Sequence, residues 1–172
     1  MKELIQLFSQ IALLRRGPQD LPASMLLLVM SVVGYFGINF IVSSFMPPIK
    51  DWQTYLAVDV PFTLIWYVVV LRLAKRSERT LQTATAVFGF QAVLSPLVVM
   101  SEWLLPRYAQ NATWQLPVQL MWLIMLVWVI TASSHVVKAA LEWSSSASVA
   151  LVILQLMAGQ MVLFALFPST ST

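Results

Sequence analysis

Residues 25–46 read MLLLVMSVVGYFGINFIVSSFM, a stretch of 22 residues without a charged side chain. A helix needs roughly 20 mostly apolar residues to cross a bilayer, so this stretch is long enough. A membrane-crossing strand would alternate apolar and polar residues over roughly ten positions, and this stretch does not. Because backbone groups in lipid must be hydrogen-bonded within the protein, the stretch predicts a transmembrane helix.

The remainder of the chain repeats this pattern. Its 172 residues are 59% hydrophobic and 10% charged, whereas soluble domains have about 25% charged residues. Four further apolar runs are long enough to cross a membrane, although Pro96 interrupts one of them. The sequence therefore predicts an all-α integral membrane bundle of five helices at residues 17–172, with spans at about 24–46, 55–73, 81–105, 116–137 and 146–167.

An amphipathic segment precedes the first span, in MKELIQLFSQIALL at residues 1–14. Its larger apolar side chains share one helical face, namely Leu4, Leu7, Phe8 and Ile11. Lys2 and the polar residues around it lie on the other face. This pattern is typical of a helix that lies in the membrane surface, so we expect an interfacial helix within residues 1–16.

The stretch LLRRGPQDLPAS, residues 13–24, joins that helix to the first span. Gly17 and Pro18 are expected to end the interfacial helix, and Ser24 is expected to cap the spanning one. Anionic lipid head groups at the cytoplasmic face are the expected partners of the basic side chains near this hinge. Those basic residues are Lys2, Arg15 and Arg16.

The basic residues divide unequally between the two sides of the membrane. With the amino terminus inside, the inner segments contain eight Lys and Arg residues, and the outer segments contain two, Lys50 and Arg107. Cytoplasmic loops carry such an excess. The sequence therefore predicts a multi-pass protein of the cell inner (plasma) membrane, with a cytoplasmic amino terminus and an outer carboxyl terminus. Because the basic residues sort by membrane side, the net charge of +3 does not indicate nucleic-acid binding.

Asp59 is the most notable acidic residue because it falls inside the second predicted span. An intramembrane carboxylate is a functional candidate by default. Alternatively, Asp59 caps a helix that begins there, because Asp is a favoured cap residue and Pro61 is tolerated in a first helical turn. We favour this structural role, in which Asp59 caps the helix or forms an ion pair with Arg107 or Lys50.

Four other polar residues lie in or near the spans. Glu102 and Arg107 flank the outer end of the third span, where an ion pair is expected. Asn39 and Gln91 lie inside spans, where amides more often form hydrogen bonds between helices than bind a substrate. A proline kink just after Gln91 would allow it to line a cavity. The candidate polar site, functional or structural, comprises Asp59, Asn39, Gln91, Glu102 and Arg107.

The sequence contains little that could support catalysis. The loops are at most about ten residues long, so they cannot form a soluble catalytic domain. Cysteine is absent, and His135 is the one histidine, without an acidic cluster around it. We therefore expect no enzyme activity, no catalytic or metal-binding residues and no cofactor.

Five spans with very short loops, an inner amino terminus and an outer carboxyl terminus resemble the Yip family of five-span membrane proteins. LLRRGPQDLPAS before a first span also resembles small uncharacterised bacterial inner-membrane proteins that are loosely grouped with it. The chain lacks the long acidic amino-terminal region and the YGP motif of eukaryotic members, so their trafficking role is not implied. The tryptophan-rich sensory protein family has five spans as well, but its tryptophan-proline signature has no counterpart here.

Two functions agree with these observations. The first is a non-enzymatic scaffold or accessory subunit that assists a membrane complex or organises the membrane, together with a protein partner or as a homo-oligomer. Gly34, Gly37 and Gly89 support it, because small residues allow helices to approach closely. The second is a small carrier or channel-forming subunit with a polar cavity near Asp59. The scarcity of intramembrane charge favours the scaffold, whereas a hydrated cavity at Asp59 would favour transport.

Overall fold

The computed structural model describes residues 2–48 and 51–167, and within these ranges the chain is built from helices. Six α-helices follow one another: α1 Lys2–Ala12, α2 Met25–Phe45, α3 Trp52–Leu73, α4 Thr80–Tyr108, α5 Gln115–Leu141 and α6 Ser145–Leu166. The helices α2 to α6 are each long and apolar enough to cross a membrane. The predicted all-helical class is therefore confirmed, and five helices have the length and apolar composition that the predicted spans require.

Hydroxyl side chains begin two of these helices. Ser24 precedes α2, and its oxygen accepts a hydrogen bond from the Leu27 backbone N–H at 3.4 Å, as expected from the sequence. Ser144 precedes α6 and accepts from the Ala147 N–H at 3.3 Å. In each case the side chain satisfies one of the amide groups that the first helical turn leaves without a partner.

Short connections make consecutive helices run in opposite directions. We call the end where α2, α4 and α6 begin and α3 and α5 finish the proximal end, and the opposite end the distal end. The helix α4 lies at the centre, in contact with α1, α2, α3 and α5, whereas α6 packs on α5 and α3. Each residue of α4 from 83 to 90 is buried, so this helix is covered on all sides in its proximal half.

The main core occupies the proximal half of the bundle. Side chains of α3, α4 and α5 meet there, including Tyr67, Leu71, Val87, Phe90 and Val136. Several α4 residues in this region are small, which allows the surrounding helices to approach closely. The interior of the proximal half is therefore closely packed.

The amino-terminal helix α1 packs against this core. Ile11 and Ala12 are buried, and a Cβ added at Gly89 of α4 would overlap the Phe8 ring. The indole N–H of Trp128 donates to the Ala12 carbonyl at 2.8 Å. Because Trp128 lies 13 residues from either end of α5, the end of α1 reaches the middle of the bundle. The apolar face of α1 thus contacts protein, and its predicted location in the membrane surface is not confirmed.

The segment between α1 and α2 returns from this depth to the proximal end. The Gly17 N–H donates to the Asp20 carboxylate at 3.0 Å, which closes the turn around Pro18. Gln82 of α4 donates to the Leu21 carbonyl at 2.7 Å. The predicted hinge is thus a turn that is held against α4 by a hydrogen bond.

Charged side chains connect α3, α4 and α5 at the proximal end. Arg76 and Arg79 both bond the Glu142 carboxylate, with N–O distances of 2.5 and 2.6 Å. Arg79 also donates to the carbonyls of Ala139 and Ala140, which lie in the last turn of α5 and lack helical partners. The hydrogen bond from Arg79 and the positive charges of both arginines lower the pKa of Glu142.

Candidate functional site

The distal half of the bundle encloses a cavity of about 680 Å³. All five long helices contribute to its wall, together with Pro48 between α2 and α3. The lining residues are Tyr35, Asn39 and Ser43 of α2; Trp52, Tyr55, Leu56 and Asp59 of α3; Val99, Glu102, Leu105 and Pro106 of α4; Trp122 of α5; and Gln160, Leu163 and Phe164 of α6.

Asp59 lies in this wall. It is the eighth residue of α3, and at a rise of 1.5 Å per residue it lies about 10 Å from the start of that helix. Its carboxylate accepts a hydrogen bond from the Tyr35 hydroxyl of α2 at 2.8 Å. The predicted capping role is wrong, because α3 begins at Trp52 and continues through Pro61 without a break.

Glu102 of α4 lines the same cavity as Asp59. None of the described lining residues is basic. The cavity therefore concentrates negative charge in a largely apolar wall, an arrangement that attracts cations.

Arg107 does not join this site. Its guanidinium stacks on the Trp103 ring, 4.0 Å from the ring centroid, and donates to the Trp103 carbonyl at 3.1 Å. Within residues 2–48 and 51–167 it forms no ion pair with Asp59 or Glu102, so the expected pairs with Arg107 are absent there. The alternative partner Lys50 lies outside the described residues.

Asn39 connects the distal cavity to a smaller one nearer the centre of the bundle. Its amide N–H group donates to the Tyr35 carbonyl at 2.8 Å and to the Ser95 hydroxyl at 2.7 Å. Tyr35 and Asn39 line both the distal cavity and an inner cavity of about 110 Å³. Gln91 lines the inner cavity, and its buried Oε1 accepts no hydrogen bond in the described part of the chain.

The residues expected at the membrane surface lie apart from both cavities. Arg15 and Arg16 are exposed in the segment after α1. Arg16 lies 4.0 Å from the Asp20 carboxylate, and the ring of His135 contacts its carbonyl at 3.1 Å. The side chain of Lys2 lies outside the described residues.

Several lining residues were not predicted as members of a site. Trp52 and Tyr55, in the first turn of α3, both line the cavity. Trp52 is buried, with its ring edge-on to Phe40 at a centroid distance of 5.3 Å. Tyr35 offered one signal in the sequence, because it precedes Asn39 by one helical turn and the pair places two polar groups on one face.

No protein-family model, curated protein or solved structure matches the chain. The resemblance to the Yip family therefore remains a prediction from architecture and from the stretch at residues 13–24.

Proposed function

We propose that the protein is a small membrane carrier, or the channel-forming subunit of one, whose distal cavity admits polar solutes. The observation that carries this proposal is the placement of Asp59 and Glu102 in one cavity of about 680 Å³. Carboxylates within spans are costly in lipid and mark ion or substrate pathways. A scaffold would have no need for two such groups around an open space. The proposal involves no catalytic step and no cofactor.

The two cavities suggest how a solute would be held. The distal cavity opens among the ends of α2, α4 and α6, whereas the proximal half has a packed core. Asn39 and Tyr35 line both the distal cavity and the inner one, and Gln91 of the inner cavity has an acceptor oxygen without a partner among the described residues. A solute bound at Asp59 would therefore reach the middle of the bundle from one side while the other side stays closed. This is one of the two states that an alternating-access carrier needs.

Cysteine accessibility tests the proposal, because the chain has no cysteine of its own. Gln160→Cys places a thiol in the cavity wall, and the adjacent Met161→Cys places one on the exposed surface of α6. In vesicles, a charged, water-soluble methanethiosulfonate should modify the thiol at position 160 and spare the thiol at position 161, which faces lipid. Proteoliposomes should then take up at least one of choline, glucose and lactate. An unreactive thiol at position 160 together with no uptake of any of the three would refute a hydrated carrier cavity.

We further propose that the distal end faces the outside of a bacterial inner membrane, with the amino terminus in the cytoplasm. The eight-to-two division of basic residues supports this orientation. Ser77→Cys and Thr113→Cys each place a single thiol in a connection, and the two connections lie at opposite ends of the bundle. An impermeant maleimide added to intact spheroplasts should label the thiol at position 113 and spare the thiol at position 77. The reverse pattern would contradict the orientation, and labelling of both in sealed cells would contradict five spans.

The amino-terminal segment can still contact the membrane surface. Ile5 is 60% exposed on the side of α1 that faces away from the core, and Arg15 and Arg16 are exposed where they can meet anionic head groups. We propose that α1 combines a face packed on α4 with an exposed face in lipid. A spin label at residue 5 should be relaxed by oxygen dissolved in the bilayer, whereas relaxation by a water-soluble nickel complex would contradict lipid contact.

A scaffold or accessory role is the second candidate, and two glycines of α2 with open space around them favour it. A Cβ added at Gly34 or Gly37 would meet no atom within 4 Å, so this surface of α2 lacks a neighbour. Glycines on a free helix surface allow another helix to pack closely in a membrane. The occupant would be a second copy of the chain or a protein partner. Purification in mild detergent with mass spectrometry should then recover a complex that Gly34→Leu and Gly37→Leu disrupt.

A further inference from the structure

We infer that the distal cavity binds an organic ammonium group rather than a metal ion or a neutral solute. This inference rests on the proposed function and adds the class of the solute. Three features of the wall support it: its charge, its aromatic side chains and its size.

The charge of the wall selects for a cation. Asp59 and Glu102 face the same space, and no basic side chain among the described lining residues neutralises them. The Tyr35 hydroxyl donates one hydrogen bond to Asp59 and so fixes the position of that carboxylate. Glu102 forms no ion pair within the described ranges, which leaves it available to a ligand.

The aromatic side chains select for an alkylated cation. Trp52, Trp122 and Phe164 line the cavity from three different helices. The faces of aromatic rings attract ammonium groups, and aromatic cages recognise quaternary ammonium ligands in this way. Phe40 packs against Trp52 and holds its ring in place before a ligand arrives. The carboxylates can therefore bind the charge of an alkylated ammonium, and the aromatic rings can pack against its methyl groups.

The grouping of possible ligands in the wall disfavours a metal ion. Calcium takes six to eight oxygen ligands, and magnesium keeps several waters around it. Besides its two carboxylates, the wall offers hydroxyl and amide oxygens from three different helices, and among the described residues no three His, Cys, Asp or Glu side chains are grouped so as to hold a metal ion. A volume of about 680 Å³ is also that of a site for an organic molecule, since such sites span roughly 300–1,000 Å³.

Choline and its neutral analogue 3,3-dimethylbutan-1-ol provide a matched pair of probes, because they have the same shape and differ in charge. The full chain would be placed in nanodiscs of phosphatidylglycerol, which carries no ammonium group. Binding would be followed by the fluorescence of the tryptophans, two of which line the cavity. We expect choline to change the emission in a saturable manner and the neutral analogue to do so at least roughly tenfold more weakly. Equal responses would overturn the inference.

Variants test whether the cavity is the site of binding. Asp59→Asn and Glu102→Gln should each weaken choline binding roughly tenfold or more, because each removes a charge that faces the bound ammonium in a cavity with a largely apolar wall. Trp122→Leu should weaken binding about 2–5-fold, with the remaining tryptophans as reporters. Asp51→Asn is the control, because Asp51 lies just before α3 and outside the cavity wall. An unchanged affinity in both carboxylate variants would place choline elsewhere and overturn the inference.

The ammonium group has two possible sources, a dissolved solute and a lipid head group. Phosphatidylethanolamine introduced into the nanodiscs should leave choline affinity unchanged if the solute is the ligand, whereas competition would assign the site to the lipid's ammonium. Either result supports the ammonium class.

Failure of the inference differs from failure of the proposed function. Proteoliposomes that take up glucose or lactate but not choline would overturn the ammonium class and leave the carrier in place.

Discussion

The two halves of this bundle are built from the same long helices, but the proximal half is closely packed and the distal half encloses a cavity. In the proximal half, α4 presents Thr83, Ala84, Thr85 and Ala86 and is buried on all sides. In the distal half, the same helix contains Pro96 and Pro106 together with larger side chains, and the surrounding helices enclose a cavity of about 680 Å³. Small residues permit close approach in a membrane, whereas prolines remove helical hydrogen bonds and interrupt regular packing. The small residues of α4 thus lie in the packed proximal half, and its prolines lie in the distal half, where the cavity is.

The division also separates stability from function. The proximal half contains the main core, the docked α1 and the charged cluster around Glu142. The distal half contains the two carboxylates and few buried residues. We therefore expect substitutions in the proximal half to change unfolding free energy and those in the distal half to change binding. Four predictions test this comparison.

Phe90→Ala should lower the free energy of unfolding by about 3 kcal/mol. This is the lower end of the range for buried phenylalanine in soluble proteins, because the unfolded helix stays in lipid and mainly packing is lost. Phe164→Ala in the distal half is the matched control and should cost less than about 1 kcal/mol, since Phe164 is 55% exposed. Unfolding by SDS in mixed micelles measures both. Equal losses would contradict the division into two halves.

Gly89→Val should lower the unfolding free energy by about 1–3 kcal/mol, because the new side chain would overlap the Phe8 ring and force α1 away from α4. The control is Gly37→Val, at a position with open space around it. Hydrogen exchange of residues 3–12 should accelerate in the first variant and remain unchanged in the second. Unchanged exchange in both would show that α1 is not docked on α4 in the membrane.

Trp128→Phe should cost about 1 kcal/mol, the usual net value of one hydrogen bond, because the Ala12 carbonyl loses its indole donor. Trp66→Phe provides the comparison, since the Trp66 indole N–H has no partner among the described residues. Thermal unfolding in detergent should separate the two variants. If both melt alike, the indole hydrogen bond contributes nothing to the docking of α1.

The charged cluster should produce the smallest effect, and it should depend on pH. Arg79 and Arg76 lower the pKa of Glu142 below its ordinary value of 4.5, so the folded protein favours the charged carboxylate. The stabilisation is therefore present above pH 4.5 and is lost as the pH falls through the lower pKa of the folded protein. The difference in melting temperature between wild type and Glu142→Gln should vanish in that acidic range.

Glu78→Gln is the control for that measurement. Glu78 lies in the same connection as Arg79 and forms no ion pair in residues 2–48 or 51–167. The difference between this variant and the wild type should not follow the pattern of Glu142→Gln. A pH-independent difference for Glu142→Gln would show that the cluster acts through packing rather than charge.

The sequence was sufficient to predict the parts of the fold that depend on local pattern. Apolar runs predicted the five long apolar helices, and Ser24 was recognised as a cap because its role depends on the next few residues. The role of Asp59 was not predictable in the same way. Pro61 can lie in the first turn of a helix or in its interior. The residues between Trp52 and Pro61 form too short an apolar run to show that α3 already begins at Trp52.

Contacts between residues far apart in the sequence determine the features that the sequence alone did not predict. The hydrogen bond between Asn39 and Ser95 joins residues 56 positions apart, and nothing local shows which helices meet there. Without that pairing, Glu102 and Asp59 could not be assigned to one cavity. The apolar face of α1 raises the same difficulty, because an amphipathic pattern is equally suited to lipid and to a protein groove. A surface location was therefore predicted where the structure has contacts with α4 and α5.

The bond between Trp128 and Ala12 has a consequence for biosynthesis. It joins residues 116 positions apart, so α1 leaves the ribosome well before its partner in α5 is made. At a synthesis rate of about 5–20 residues per second, that delay is roughly 6–23 s. During this interval the full set of helices on which α1 packs does not yet exist, so the apolar face of α1 needs other cover from water. The membrane surface can provide it, so an interfacial helix can be the nascent state of a segment that later moves inward.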